Sequence, residues 1–74
     1  MNKARREQVK KVVDYIESAY IMLDGIKDDE EYAFNNLPDG IQESERGEIM
    51  EQNVDTMDDC INELWDIVDA LNEM

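Results

Sequence analysis

Histidine is absent from this 74-residue chain, and cysteine occurs only once, as Cys60. Without histidine the chain lacks the usual general base and cannot build a Ser–His or Cys–His nucleophile pair. It also lacks the Glu-x-x-His motifs of helical di-metal proteins, and one cysteine among carboxylates makes a poor zinc site. A single cysteine forms no intrachain disulfide. We therefore predict a protein that is not an enzyme and that has no cofactor and no resident metal.

Long apolar runs are also missing. No stretch of the sequence is long enough to span a bilayer, and no signal-peptide pattern is present. A lone cysteine agrees with a reducing compartment. The sequence therefore predicts a cytoplasmic protein that does not bind membranes.

Basic residues are few. Seven Lys and Arg stand against twenty Asp and Glu, for a formal net charge of −13. Five of the seven bases lie within the first eleven residues, so the rest of the chain is more acidic still. Such a surface repels the phosphates of nucleic acids and anionic membranes, and it attracts basic protein surfaces. We expect no direct nucleic-acid binding, and we expect a basic protein as the partner.

Proline and glycine are rare, and most of them cluster. Pro38, Gly40 and Gly47 lie in the one segment that breaks the helical hydrophobic pattern. Proline lacks an N–H group and restricts the residue before it, so the first helix should end near Asn35. We predict helix one at about 2–35, a hinge at 36–44 and helix two at about 45–72.

The hinge contains residues that are typical of turns and helix ends. Asn36 tolerates a left-handed helix exit, and Gly40 permits a turn with positive φ after Pro38. Ser44 is the expected N-cap of helix two. Gly47 stands where Glu or Gln would complete a capping box, so the box is incomplete.

Apolar residues recur every three or four positions on both sides of the hinge, which is typical of helices that pack along a seam. In helix one the predicted seam comprises Val9, Val12, Ile16, Ala19, Leu23, Ile26, Ala33 and Leu37. In helix two it comprises Met50, Val54, Met57, Ile61, Leu64, Val68 and Leu71. A short hinge makes the helices antiparallel neighbours, with Ile26 near Met57. The predicted fold is an all-α, antiparallel two-helix hairpin that occupies residues 1–74 as a single domain.

Further apolar residues flank both seams, and we expect them to stay exposed to water in a monomer. An apolar face this broad suits a bundle better than a two-stranded seam. We therefore predict a homodimer in which two hairpins form a four-helix bundle. The residues predicted at the dimer interface are Val13, Tyr20, Phe34, Trp65 and Ile67.

Carboxylates run along the outside of helix two at helical spacing, so that neighbours lie about 5–6 Å apart, near the spacing of phosphates on a nucleic-acid strand. This row indicates a protein-interaction module that binds a basic partner, as a nucleic-acid mimic or inhibitor in its sharper form. The predicted partner-binding residues are Glu51, Asp55, Asp58, Glu63, Asp66 and Asp69. Two alternatives stay open: a face that only keeps the bundle soluble, and a small-ligand or metal-ion binder that uses carboxylates at the hinge or the dimer core.

The segments EYAFNNLPDGIQ at 31–42 and SERGE at 44–48 resemble a recurring pattern. Together with the basic start of the chain, they are similar to short acidic proteins of Firmicutes and their phages or mobile elements. These proteins share an N-[LM]-P-[DE] hinge and an S-E-R helix start. The resemblance covers nearly the whole chain, but its specific part is the hinge. It implies a helical hairpin and a mobile-element origin, and it implies no activity and no functional residues.

Overall fold

The computed structural model describes all 74 residues and contains three helices and no strand. Helix α1 spans Lys3–Asn35, the short helix α2 spans Asp39–Gln42, and helix α3 spans Glu45–Asn72. With 88% of the residues helical, the all-α prediction is confirmed. Helix α2 lies where the sequence predicts a turn. No helix is both long enough and apolar enough to cross a membrane.

The two long helices lie side by side as an extended pair that measures 58 × 15 × 12 Å. The rings of Tyr20 and Trp65 are 6.0 Å apart, and Lys27 Nζ lies 3.4 Å from a carboxylate oxygen of Asp58. As residue numbers rise along α1, the numbers of the contacted residues fall along α3. The two helices therefore run in opposite directions.

On α3, the covered row is the one that the apolar spacing predicted. Ile61 and Val68 are buried, and the other five residues of that row are partly covered. The row is unbroken by polar residues, so the spacing alone identifies the face of α3 that packs on α1.

On the α1 side, half of the predicted seam is wrong. Val12, Ala19, Ile26 and Ala33 are exposed. The covered row is Val9, Val13, Ile16, Tyr20, Leu23, Lys27, Glu30, Phe34 and Leu37. Both rows step by three and four residues, and polar side chains interrupt the true one, so the apolar pattern favoured its neighbour. Val13, Tyr20 and Phe34 thus lie between α1 and α3 of one chain, and the expectation that they stay exposed in a monomer is wrong.

The core of the helix pair is thin. Val13, Ile61 and Val68 are its only buried hydrophobic residues, at 5%, 3% and 7% exposure. Burying one such side chain contributes about 1.5–3 kcal/mol, whereas a chain of this size must offset the ordering of all its residues. A helix pair covers only one side of each helix, so coverage of further apolar surface by another molecule would add substantially to its stability.

The hinge differs from the expected turn, because no residue of the chain has a positive φ. Asn36 has φ −92° and ψ −1°, so α1 ends in a right-handed conformation and the predicted left-handed exit is wrong. Gly40 lies within α2 and supplies no positive-φ turn. Pro38, with φ −57° and ψ 147°, caps the start of α2 instead, since its fixed φ suits the entry to a helical turn.

Gln42 closes the C-terminal end of α1. Its side-chain amide donates to the carbonyl oxygens of Phe34 and Leu37, each at 3.1 Å, and more weakly to that of Asn35. The last carbonyls of a helix lack partners within the helix, and α1 has no basic side chain in its last turn to supply one. The side-chain amide of Gln42 in α2 therefore supplies the hydrogen-bond donor that the end of α1 lacks, and these bonds link α2 to α1.

Gly47 fixes how closely α3 approaches α2. A Cβ atom at this position would lie 2.7 Å from Gln42 Cα and closer still to the Gln42 carbonyl group, nearer than real Cβ atoms come. Gly47 is also buried, which makes it a close-packing position and not merely a gap in a capping box. Ser44 is the N-cap residue of α3, as predicted, but its hydroxyl donates to the Ile41 carbonyl and caps no N–H group.

Candidate functional site

Carboxylates from both long helices collect along one side of the helix pair. Tyr20–Trp65 and Lys27–Asp58 are the contacts that mark this side. Residues three, four or seven positions from these share their stripe of helix surface. Glu30, three positions after Lys27, instead accepts a hydrogen bond from Asn53 across the opposite side. We define the acidic side by the other carboxylates at those positions, which are Glu17, Asp24 and Glu31 of α1 and Glu51, Asp55, Asp58 and Asp69 of α3.

A cleft of about 370 Å³ opens on the acidic side near the hinge. Its acidic lining residues are Glu31 from α1 and Glu51 and Asp55 from α3. Phe34 and Val54 add apolar surface to the lining and are themselves partly covered by the helix packing. Lysine and arginine side chains combine an apolar stem with a cationic head, so a cleft with apolar walls and carboxylates suits either of them.

Lys27 shows how this side holds a cation. Its ammonium group lies 3.3 Å from Asp24 and 3.4 Å from Asp58, and its side chain is only 19% exposed. The hydrogen bond that Lys27 donates to Asp24 is the largest cause that raises the pKa of Lys27 above its usual value. Desolvation opposes it as the second largest effect, and the bond that Lys27 donates to Asp58 raises the pKa further. The charged form of a lysine is thus favoured between carboxylates that come from the two helices.

An aromatic pair lies further from the hinge on the same side. The rings of Tyr20 and Trp65 meet edge to face, with an interplanar angle of 81°. Trp65 remains 51% exposed, and Asp69 lines the same shallow depression as the two rings. An exposed indole beside a carboxylate is a favourable place for a cationic side chain, because the ring face also attracts positive charge.

The six predicted partner-binding residues are all exposed, but they do not share one face. Glu51, Asp55, Asp58 and Asp69 lie on the acidic side. Asp66 lies on the outer surface of α3, because it follows Trp65 by one position and is turned about 100° from it. Glu63 points toward the opposite side of the pair, because it precedes Trp65 by two positions and is turned about 200° from it. The prediction rests on α3 alone and does not include the carboxylates of α1. The signal that identifies them is the antiparallel pairing of the helices, which brings positions near 27 on α1 beside positions near 58 on α3.

The five residues predicted at a dimer interface do not share one exposed face either. Val13 is buried within a single chain, and Tyr20 and Phe34 are partly covered by α3. Trp65 lies on the acidic side, and Ile67 lies on the opposite side. The disagreement follows from the α1 row that the sequence predicts, because that row leaves Val13, Tyr20 and Phe34 outside the seam although they belong to it.

No group of three or more His, Cys, Asp or Glu side chains is arranged to hold a metal ion. The acidic residues of the hinge and the seam therefore offer no observation in favour of the metal-binding alternative. No protein-family model, curated protein or solved structure matches this chain.

Proposed function

We propose that this chain is a non-enzymatic interaction module whose acidic side binds a basic protein surface. The observation that supports this most directly is the cleft near the hinge, where Glu31 meets Glu51 and Asp55 beside apolar walls. Carboxylates on only one helix would be an ordinary solvated surface. Carboxylates of two helices around a cleft of side-chain size give a partner's lysine or arginine both an apolar contact and a counter-charge.

The environment of Lys27 supports the same proposal. It places a cation between Asp24 and Asp58, one carboxylate from each long helix. The proposed partner contributes further cations to equivalent positions toward the hinge, where no base of this chain is present. In the sharper form of the proposal, the partner is a nucleic-acid-binding protein of the cytoplasm, and the carboxylate rows occupy the site of its phosphates.

The assembly belongs to this proposal too. The helix pair acts as an antiparallel hairpin, and two hairpins associate into a four-helix bundle, which leaves both acidic sides free to bind. The thin core supports this assembly, since only three hydrophobic residues are buried in one chain. The long-range field of two such chains would speed the encounter with a basic partner and would weaken with salt.

The test uses two variants that lose the same formal charge. The cleft variant carries Glu31→Gln, Glu51→Gln and Asp55→Asn. The matched control carries Asp59→Asn, Asp66→Asn and Glu73→Gln on the outer surface of α3, where all three residues are exposed. Each protein is immobilised and used to retrieve binding proteins from a lysate of the source cells, at low and at high salt.

We expect the wild type and the matched control to retrieve the same basic protein, and the cleft variant to lose most of it. Binding should fall steeply with salt. If the two variants lose binding equally, charge alone and not the cleft is responsible. If no basic protein is retrieved by the wild type, the acidic side is a solubilising surface and the proposal fails.

A further inference from the structure

The side of the helix pair opposite the acidic side is apolar. Val12 and Ile26 each precede a residue of the covered α1 row by one position, which turns them about 100° away from it. On α3, Asn53 donates to the Glu30 carboxylate at 3.0 Å and so marks this opposite side. Residues at intervals of seven from Asn53 share its stripe. We define the apolar side by Val12, Tyr15, Met22 and Ile26 of α1 and Ile67 and Met74 of α3.

These side chains are exposed to an extent that is unusual for their type. Tyr15, Met22 and Met74 are 76%, 71% and 62% exposed, and the other three lie just under one half. Cys60 is exposed on the same stripe of α3. A contiguous apolar surface on a small soluble chain marks an interaction site.

Carboxylates avoid this side. Of the twenty acidic residues, only Asp29 and Glu63 occupy helix positions that face it, and Glu30 reaches it from the seam through its bond with Asn53. Arg5 and Arg46 occupy further positions there and offset most of that charge. The strongly negative net charge of the chain is therefore carried almost entirely by its other surfaces.

We propose that the apolar side is covered by a second copy of this chain, apolar side against apolar side. The inference rests on the homodimer proposed above and assigns it an interface that shares only Ile67 with the five residues that the sequence predicted. Two chains of net charge −13 repel each other. Contact through this side is the arrangement that keeps nearly all of the carboxylates of both copies in water and away from each other.

The size of the surface is adequate for a dimer. From Val12 to Asp29 the side is about 26 Å long, and two helices are about 20 Å wide, which gives a plane of roughly 520 Å². Side chains that protrude from the plane bury more area than this. The smallest stable interfaces bury about 600 Å² from each partner, and the apolar side reaches that range.

The test compares two neighbouring residues of α1. Met22→Glu places a charge on the apolar side, whereas Ile21→Glu places it on the outer surface of the same helix. Ile21 is 65% exposed and Met22 is 71% exposed, so neither change disturbs the packing within one chain. Mass is measured by sedimentation equilibrium over a range of concentrations, and helicity is measured by circular dichroism. We expect a wild-type dimer, a Kd that rises about tenfold or more for Met22→Glu, and no change for Ile21→Glu.

A wild-type monomer at high micromolar concentration, or equal effects of Ile21→Glu and Met22→Glu, would overturn the proposed interface. The cleft variant described above should remain dimeric, so loss of partner binding and loss of the dimer can be told apart.

Discussion

Two helical glycines provide a matched test of the hinge, because only one of them has a neighbour where a side chain would go. A Cβ atom on Gly25 would meet nothing within 4 Å, whereas one on Gly47 would come within 2.7 Å of the Gln42 backbone. Both residues lie in helices and neither has a positive φ. Alanine therefore changes helix propensity in the same direction at both positions, and only the packing differs.

The expected free energies of unfolding follow from these distances. Replacing a helical glycine by alanine stabilises a helix by about 0.5–1 kcal/mol, and Gly25→Ala should gain this in full. At Gly47 the same gain is opposed by overpacking, which costs about 1–3 kcal/mol. We expect a cost at the upper end of this range, because the atoms that a Cβ would meet belong to the Gln42 backbone and cannot rotate away. The net effect of Gly47→Ala is then a loss of about 1–2 kcal/mol.

Thermal unfolding followed by circular dichroism measures both variants, and all samples must have one protein concentration since association shifts the midpoint. For a chain of this size, 1 kcal/mol moves Tm by about 4–8 °C. Gly25→Ala should therefore raise Tm by a few degrees, and Gly47→Ala should lower it by about 4–16 °C. Equal stabilisation by the two substitutions would refute the close approach of α3 to the α2 backbone.

Three further predictions concern the hinge, the seam and the charge. Gln42→Glu should lower stability by about 1–3 kcal/mol in a urea titration, because a carboxylate cannot donate to the carbonyls of Phe34 and Leu37. Lys27 has a raised pKa in the folded state, so its contribution is complete below its usual value of 10.5 and is lost as the pH rises through the folded pKa. Replacing Lys27 by methionine should flatten the fall in Tm above that pH. Added sodium chloride should raise Tm, because screening weakens repulsion among the carboxylates, and a fall in Tm would contradict this.

The parts of the fold that could be predicted are those with a local cause. The proline at 38 and the apolar spacing locate the two long helices, and the unbroken row from Met50 to Leu71 identifies the packed face of α3. The cap by Gln42 and the close approach at Gly47 have no local signal. They depend on how α2 folds against both long helices, which spacing within a helix does not determine.

The candidate surfaces could be predicted only in part for a similar reason. Helical spacing located carboxylates on α3, but a surface made by two helices requires the rotation of both. On α1 two apolar rows share every other level, and the apolar spacing favours the more continuous one, with Val12 and Ile26. At the levels that differ, an error of one position turns the side chain by about 100°. It exchanges Val13, Tyr20 and Phe34 inside the pair with residues that are available to another molecule.

The polar residues of the true row explain how the protein itself distinguishes the two. Lys27 and Glu30 stand in the α1 seam, and each has a specific partner on α3, in Asp58 and Asn53. Glu30 stands in either row, but at the level of Lys27 the other row holds Ile26, which has no group to pair with Asp58. Hydrophobicity alone would leave the two rows nearly interchangeable. The Lys27–Asp58 pair forms in only one rotation of α1 and favours that rotation at some cost in buried apolar area, as polar residues do in coiled-coil seams. The selection keeps the uninterrupted apolar row outside, where it is available to a second copy.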